Sequence, residues 1–583
     1  MATTSRTNSV ALDSISARNQ PLITARRLLS VVAVLAVLVV CWRFAEVRPS
    51  VLFRTATAGA VWKFLVGMFP PDVSVDFLVT VLRALTQTMA TAVAGTFLSL
   101  VFALPLGILA TATLWSRGIL AGDAAHSLVV RIGAVTSRLT RALLGFVRAV
   151  PDLVWALLFV AAVGLGALAG TLALAVAYTG VLGRVYADVF EHVAPGPLEA
   201  LQSTGATRMQ IFLRGVWPQA LPHLTAYSLY SFECCVRAAA VLGFVGAGGI
   251  GYEISVSMRL FEYRQVLTLL LVLIALLTVT DAISRYLRAR SVQHASRASE
   301  RKIDGEAPAR MLLRESPRFA GRWLIATLGV SSFALAGFTP DAFAHAGVGT
   351  RITAFVGRML PPDLSWSFVT GLGEAVLQTV AIALIGTLVG VILAIALAVP
   401  ATSTLTFAHS DSPAKHGVTD RVSRWLLFWS TRLVLNVLRS IPELVWVLVC
   451  ILAVGIGPFA GTIALGLHTA GVLGKLYAET MEEVPLPPME ALRSLGARPL
   501  QLLLWAIWPQ ARPLLISYTV LRLDMNLRAS TILGLVGGGG LGQAIYNNVQ
   551  LGFYPRLSTL ILVIYALVVT SDWIGECLRL DVA

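Results

Sequence analysis

Charge is what this sequence has least of. Only 13% of its 583 residues are Asp, Glu, Lys or Arg, against about 25% in soluble domains. Hydrophobic residues make up 56% and the mean hydropathy is +0.77. Together these exclude a soluble globular protein. Cysteine is sparse too: Cys41, Cys234, Cys235, Cys450 and Cys577, with no C-x-x-C spacing. Neither a metal cage nor a disulfide framework is expected, and the cysteines read as small buried apolar residues. Acidic residues are outnumbered 31 to 45, for a formal net charge of +14. In a soluble protein that excess would point to nucleic acid. Here the basic residues lie between apolar runs, so they read as cytoplasmic loops and no nucleic-acid partner is expected.

Nucleotide motifs are missing as well. No stretch reads G-x-x-x-x-G-K-[ST], and Gly471-Val472-Leu473-Gly474-Lys475 has the wrong spacing and no hydroxyl after the lysine. Gly246-Ala247-Gly248-Gly249-Ile250-Gly251 and Gly537-Gly538-Gly539-Gly540-Leu541-Gly542 fit G-x-G-x-x-G. Each follows an apolar helix rather than a strand, which argues against a dinucleotide site. They read as glycine-dense turns at the outer membrane face. No nucleophile–base pattern or metal cluster stands out, so no catalytic or metal-binding residue is expected, and ATP hydrolysis is not expected of this chain.

What is present is apolar length, written twice. Runs such as Leu28–Val40, Thr91–Thr113, Val266–Thr280, Val376–Val399 and Leu557–Val569 approach the roughly 20 residues that cross a bilayer. Pro151-Asp152-Leu153-Val154-Trp155 returns as Pro442-Glu443-Leu444-Val445-Trp446, a shift of 442 − 151 = 291. The same shift carries Pro70-Pro71-Asp72 onto Pro361-Pro362-Asp363, Gly180-Val181-Leu182-Gly183 onto Gly471-Val472-Leu473-Gly474, and Asp281 onto Asp572. One structural unit is therefore used twice, and the space between the copies is the expected working site. Arg6, Arg18, Arg26 and Arg27 place the N-terminus in the cytoplasm. Leu28–Trp42 reads as a retained first span, because Cys41-Trp42-Arg43-Phe44 is no cleavage site. Six spans per half are expected, including one near Leu143–Val163. An even number makes the copies parallel. The expected division is a cytoplasmic tail at 1–27, a first repeat at 28–287, a basic cytoplasmic linker at 288–322 that reads as flexible, and a second repeat at 323–583. This is an all-α integral membrane protein of about twelve transmembrane helices.

The most specific motif lies in the third inside segment of each half. Pro197-Leu198-Glu199-Ala200-Leu201, Gly205-Ala206 and Trp217-Pro218 recur as Pro488-Met489-Glu490-Ala491-Leu492, Gly496-Ala497 and Trp508-Pro509. Proline and glutamate suit a helix start, and the glycine reads as a hinge. A short helix held between two spans is suited to docking a soluble partner. The motif resembles the Glu-Ala-Ala…Gly…Pro loop of the membrane subunits of binding-protein-dependent ABC importers. Three further stretches are similar to phosphonate-type permeases: Arg439–Trp446, His468–Lys475 and Asn526–Gly534. That resemblance covers about Pro70–Arg288 and Pro361–Arg579, and implies two half-permeases fused in one chain. It implies the type I ABC importer transmembrane fold in the cytoplasmic (inner) membrane. It implies ATPase coupling by Glu199, Ala200, Gly205, Glu490, Ala491 and Gly496, two copies of a cytoplasmic ATPase that use the ATP, and a solute-binding protein outside. This chain is expected to bind no cofactor.

Charges within the spans are candidates for the substrate path. Glu233 and Arg237 share a helix face, as do Asp524 and Arg528. Two readings are open: Arg237 and Arg528 line the path for an anion, or each pair is a structural ion pair. Arg148 and Arg439, beside the Pro-Asp and Pro-Glu turns, read as path-lining or as anchors at the cytoplasmic interface, and His468 as path-lining or as a packed, hydrogen-bonded residue. Asn526, Ser530 and Thr531 in the second copy face Cys235, Ala239 and Ala240 in the first, and His468 faces Ala177. If these positions line the path, the second half supplies more of its polar contacts. The expected function is ATP-driven import of phosphonate or a related phosphorus oxyanion. An ion-coupled secondary transporter with a six-plus-six parallel repeat, or a permease for another small polar solute, is the alternative.

Overall fold

The structure, a computed structural model, describes residues 25–52, 54–115, 128–303, 331–337, 347–407 and 418–580. The first half comprises α1 (Ala25–Phe44), α2 (Thr55–Gly67), α3 (Val75–Ala110), α4 (Leu128–Ala149), α5 (Asp152–Val163), α6 (Ala167–Glu191), α7 (Pro195–Ser203), α8 (Trp217–Leu242), α9 (Gly249–Arg259) and α10 (Tyr263–Ile303). The second half repeats α2–α10 as α11 (Val348–Met359), α12 (Trp366–Ala401), α13 (Val418–Ser440), α14 (Glu443–Val454), α15 (Pro458–Glu482), α16 (Leu486–Ser494), α17 (Trp508–Leu533), α18 (Gly540–Gln550) and α19 (Tyr554–Leu580). The two copies run parallel. Among the described residues, 7 helices are long and apolar enough to cross a membrane, or up to 9 if each of two bent pairs counts as one span. The second half's expected start at Trp323 lies outside the described residues.

One expected span is not straight. Leu143–Val163 is split at Val150-Pro151, and α4 meets α5 at 87°; α13 meets α14 at 98°. Proline cannot donate to a helical ladder, so each break falls where Pro151 and Pro442 remove that donor. The short helices α5 and α14 therefore start inside the bundle, with Asp152 and Glu443 in their first turns. Negative side chains at that position offset the unsatisfied N–H groups of a helix start. The expected linker also differs: α10 continues as helix to Ile303, and the rest of the linker lies outside the described residues.

Small residues bring these pieces together. A Cβ on Gly180 would stand 2.7 Å from the Arg148 nitrogen, and one on Gly471 2.6 Å from that of Arg439. The Gly-Val-Leu-Gly motif thus lets the ends of α4 and α13 lie directly on α6 and α15. At the other end of the bundle, the Pro-Pro-Asp turns are pinned to α10 and α19. Thr268 donates to the Asp72 carbonyl and Thr559 to that of Asp363, each at 2.7 Å. The Ser74 amide holds the Asp72 carboxyl below the usual carboxylate range. Contacts cross between the halves: Cys41 of α1 and Ala45 just after it pack with Ala381 and Ile385 of α12, and Phe333 lies edge-on to Phe97 of α3. One apolar core runs through α5 and α14 and joins the two copies.

The glycine-dense turns are not at the end of the bundle. The amide of Gly249 donates to Gln87 at 3.0 Å and that of Ile250 to Thr88 at 2.9 Å. Gln378 and Thr379 hold Gly540 and Leu541 in the same way, at 3.1 and 2.9 Å. Gln87 is twelve residues into α3, about 18 Å along it at 1.5 Å per residue. The turns are thus held against α3 and α12 some way in from the ends of those helices. Non-helical backbone is tolerated there because neighbouring helices supply its hydrogen-bond partners.

Candidate translocation interface

The two short helices α7 and α16 each bury one residue, Leu198 and Met489, and leave the rest of the turn facing out. Glu199, Ala200, Gly205, Glu490, Ala491 and Gly496 are all exposed. Both helices stop identically. Gly205 N–H donates to Gln202 and Ala206 N–H to Leu201; Gly496 N–H donates to Arg493 and Ala497 N–H to Leu492. This pair of bonds closes a helix around a left-handed residue, and φ is 76° at Gly205 and 78° at Gly496. The glycine is a defined stop rather than the hinge expected from sequence. A Cβ would meet nothing within 4 Å at either position, so Gly205→Ala should cost only the left-handed conformation, about 1 kcal/mol. Thermal unfolding of that variant measures it; a loss of several kcal/mol would mean a packed role for the glycine.

The expected charge pairs form, but they are not isolated. Arg528 bonds Asp524 at 3.1 Å and also reaches Asp572 on α19. Asp572 accepts at the same time from Arg148 of the first half, at 2.8 Å. Ser571 donates to Asp524 at 2.8 Å. The two candidates Arg148 and Arg528 thus belong to one network that crosses between the halves. Its counterpart is loose. Arg237 stands 4.0 Å from Glu233 and 3.8 Å from Asp281, while Glu233 pairs with Arg288 at 3.2 Å. The Asp281 Oδ1 is buried with no hydrogen-bond partner. The repeat is symmetric in sequence here, and the structure closes one side only.

Three other candidates are buried and hydrogen-bonded within the protein. Asn526 is 0% exposed and its amide donates to Thr387 of α12 at 2.8 Å and Thr469 of α15 at 2.9 Å. It is a polar junction between three helices. Ser530 and Thr531, 0% and 1% exposed, donate to the Leu527 carbonyl of their own helix. The excess of hydroxyls in the second half therefore serves packing. Asn526→Ala should destabilise the protein by about 1–3 kcal/mol through orphaned partners. Ser530→Ala and Thr531→Ala should leave uptake within about twofold, since such local bonds add little. Thermal melts and uptake on the three variants check this; a large transport loss from the latter two would restore them to the path.

His468 is buried, with Nδ1 3.1 Å from the Ile441 carbonyl and Nε2 3.7 Å from Glu443. Taking Nδ1 as the donor leaves Nε2 facing the carboxylate. Around this pair the halves converge. Asp152 lies in the electrostatic neighbourhood of Glu443, and Glu443 in that of His468, Arg522 and, from the other half, Arg237. Arg522 is the functional candidate that sequence reading missed. Its counterpart is Ser231 (522 − 291), so no repeated acid–base pair flags it. Asp152 and Glu443 were visible as motif residues, but nothing in the motif says that α5 and α14 share one core. Glu191 and Glu482 were missed as well. They tie Arg141 and Arg432 to the backbone after α3 and α12, with Glu482 accepting from Arg432 at 2.7 Å and from the Ser403 amide at 2.6 Å.

Comparison with known proteins agrees with this architecture. The family described as "binding-protein-dependent transport system inner membrane component" matches the chain twice, over residues 116–293 and 417–580. The phosphate-import permease protein PhnE of Mycolicibacterium smegmatis is 32% identical over 498 residues, 85% of this chain and 84% of that protein. The phosphite transport system permease protein PtxC of Stutzerimonas stutzeri is 37% identical over 253 residues, 43% of this chain and 84% of that protein. Among solved structures, inward facing conformations of the MetNI methionine ABC transporter match at 22% identity with a TM-score of 0.32, over 38% of this chain and 100% of that one.

Proposed function

The chain belongs to the binding-protein-dependent transport system inner membrane components, and we propose that its two fused halves form one import path for phosphonate or a related phosphorus oxyanion. It is a multi-pass membrane permease of the ABC importer type. Two ATPase subunits dock on α7 and α16, one on each, and hydrolyse the ATP; this chain holds no nucleotide. The face carrying those helices is cytoplasmic, as is the N-terminus. A solute-binding protein delivers the substrate to the opposite face.

The observation that carries this reading is the pair of exposed, identically capped helices, one per half. Each is anchored by a single buried residue, and Gly205 and Gly496 end them in the same geometry. A secondary transporter has no use for two such docking points. The substrate class rests on relatives named for phosphate and phosphite and on the arginines gathered where the halves meet. Arginine's fork of donors suits a phosphorus oxyanion.

The test is reconstitution. Glu199→Arg together with Glu490→Arg should abolish capture of the ATPase subunits while the permease still purifies as a folded monodisperse protein. Reconstituted with its ATPases and binding protein, the native chain should take up phosphonate, phosphite or phosphate only with ATP present. Uptake driven by an ion gradient, with no ATPase bound, would refute the reading.

A further inference from the structure

The repeat is broken on α13. Trp425 and Trp429 stand 6.2 Å apart, and Phe428 lies edge-on to Trp429 at 5.5 Å and to Phe407 at 5.2 Å. The offset of 291 puts Ala134, Ser137 and Arg138 of α4 at the positions of Trp425, Phe428 and Trp429, so α4 carries no such cluster. Phe428 is buried, while the two tryptophans are 52% and 53% exposed. With Val422, Leu426 and Leu433, exposed as well, they form one apolar face of α13. Tryptophan is enriched where a membrane meets water.

Beside that face, between α13 and α15, is a cavity of about 340 Å³. Trp429, Arg432, Leu433 and Asn436 line it from one helix, and Lys475 and Glu479 from the other. Arg432 is held by Glu482 at 2.7 Å, by the Ala401 carbonyl at 3.1 Å and over the Phe428 ring at 4.5 Å. Those bonds use Nε and Nη2, and Nη1 makes no hydrogen bond among the described residues. Lys475 Nζ stands 3.7 Å from Glu479, beyond hydrogen-bond length. Asn436 is exposed and makes no hydrogen bond among the described residues. Its first-half counterpart is Gly145 (436 − 291). The lining thus offers two cations and an amide against one carboxylate. Lys475 is seven residues (482 − 475) from the end of α15, about 10 Å at 1.5 Å per residue, and α16 begins just beyond, at Leu486.

We infer that this cavity holds the phosphate of an anionic phospholipid, drawn from the leaflet on the α16 side, with its acyl chains along the apolar face of α13. Basic pockets between membrane helices suit lipid head groups. Lys475, Arg432 Nη1 and Asn436 donate to the phosphate oxygens, and Trp425 and Trp429 cover the glycerol and the first methylenes. A free phosphate would use the same donors, but it would leave the apolar face beside them uncovered. The site also touches the base of α16. Glu482, which holds Arg432, accepts from the Ser403 amide at 2.6 Å, and Arg493 of α16 donates to the Thr404 carbonyl at 3.0 Å. A bound lipid therefore braces the segment that carries one of the two exposed helices. The leaflet is cytoplasmic on the import reading, but the site itself needs only that the chain spans a membrane.

The test is lipid retention by the purified full chain, with no ATPase or substrate needed. Protein in detergent is offered phosphatidylglycerol or phosphatidylcholine, washed, and the bound lipid counted by native mass spectrometry. The native chain should keep phosphatidylglycerol in preference to phosphatidylcholine. Lys475→Gln should lower retained phosphatidylglycerol about fivefold, the effect of one cation near a membrane surface, and Lys475→Arg should keep it. Asn436→Gly, which copies the first half, should lower it as well. Equal retention of the two lipids by the native chain, or retention unchanged by both Lys475→Gln and Asn436→Gly, would overturn the site. If Lys475→Gln does not purify as folded protein, the native lipid preference and Asn436→Gly decide. Displacement of the lipid by millimolar inorganic phosphate would give the cavity to a free anion and overturn the lipid. A chain that keeps the lipid as stated but imports no phosphorus oxyanion would sink the import reading and leave this site standing.

Discussion

Asp572→Asn is expected to lower the stability of the protein by about 2–3 kcal/mol, while Asp281→Asn, its exact repeat counterpart, costs about 1 kcal/mol or less. Asp572 neutralises Arg148 and Arg528 together, and these side chains are only 24–33% exposed. Removing one partner of a buried ion pair costs about 3–5 kcal/mol, and the remaining exposure lowers that figure here. Asp281 has one ion pair among the described residues, with Arg237 at 3.8 Å, and that arginine is 44% exposed, so less is lost with it. The bridge from Arg148 also joins the two halves, so its loss should alter how they move against each other. Arg148→Gln and Asp572→Asn should therefore be strongly non-additive in thermal stability, coupled by about 1 kcal/mol or more. Simple additivity in that double-mutant cycle would show that the bridge does not hold the halves together.

Gly542→Ala and Gly251→Ala should each prevent recovery of folded protein. A Cβ at Gly542 would stand 1.9 Å from the Thr531 carbonyl oxygen, and one at Gly251 equally close to that of Ala240. These are backbone atoms of α17 and α8 in the tightest part of each glycine turn, so no side-chain rotation relieves the clash. Relief requires the turn to leave the Gln87–Thr88 or Gln378–Thr379 pair that satisfies its amides. Freed amides in an apolar layer cost several kcal/mol, so the expected loss exceeds that of any other single substitution considered. Expression followed by size-exclusion chromatography in detergent is the measurement. Monodisperse, native-yield Gly542→Ala would mean that the turn can be rebuilt and that its tightness is not structural. Gly205→Ala is the control, because it has open space and only a backbone preference to lose.

Several features were legible before any coordinates. The offset of 291 predicted two like units, and the even number of expected spans in the first made them parallel. The Glu-Ala…Gly…Pro motif predicted a short exposed helix, and α7 and α16 are that helix. Glu233 with Arg237 and Asp524 with Arg528 were recognisable because residues four apart on a helix are neighbours wherever the helix packs. The break in Leu143–Val163 was written in Pro151 but was not read, since a proline alone does not say by how much a membrane helix bends. What the glycine turns pack against was not legible for a similar reason. It is set by Gln87 and Gln378 of α3 and α12, 162 residues earlier in the chain.

Sequence by itself determined the class of the protein, its twofold repetition and the short exposed helices α7 and α16, because these follow from local periodicity, composition and motif. Tertiary structure alone decided which charges meet. Arg148 and Asp572 are 424 residues apart, Asn526 is sealed between α12 and α15 while looking like a path residue, and Arg522 has no repeated partner to announce it. Pairings across helices depend on how whole surfaces pack, and packing breaks a symmetry that the repeat preserves. One network closes around Asp572, and its counterpart at Asp281 stays open.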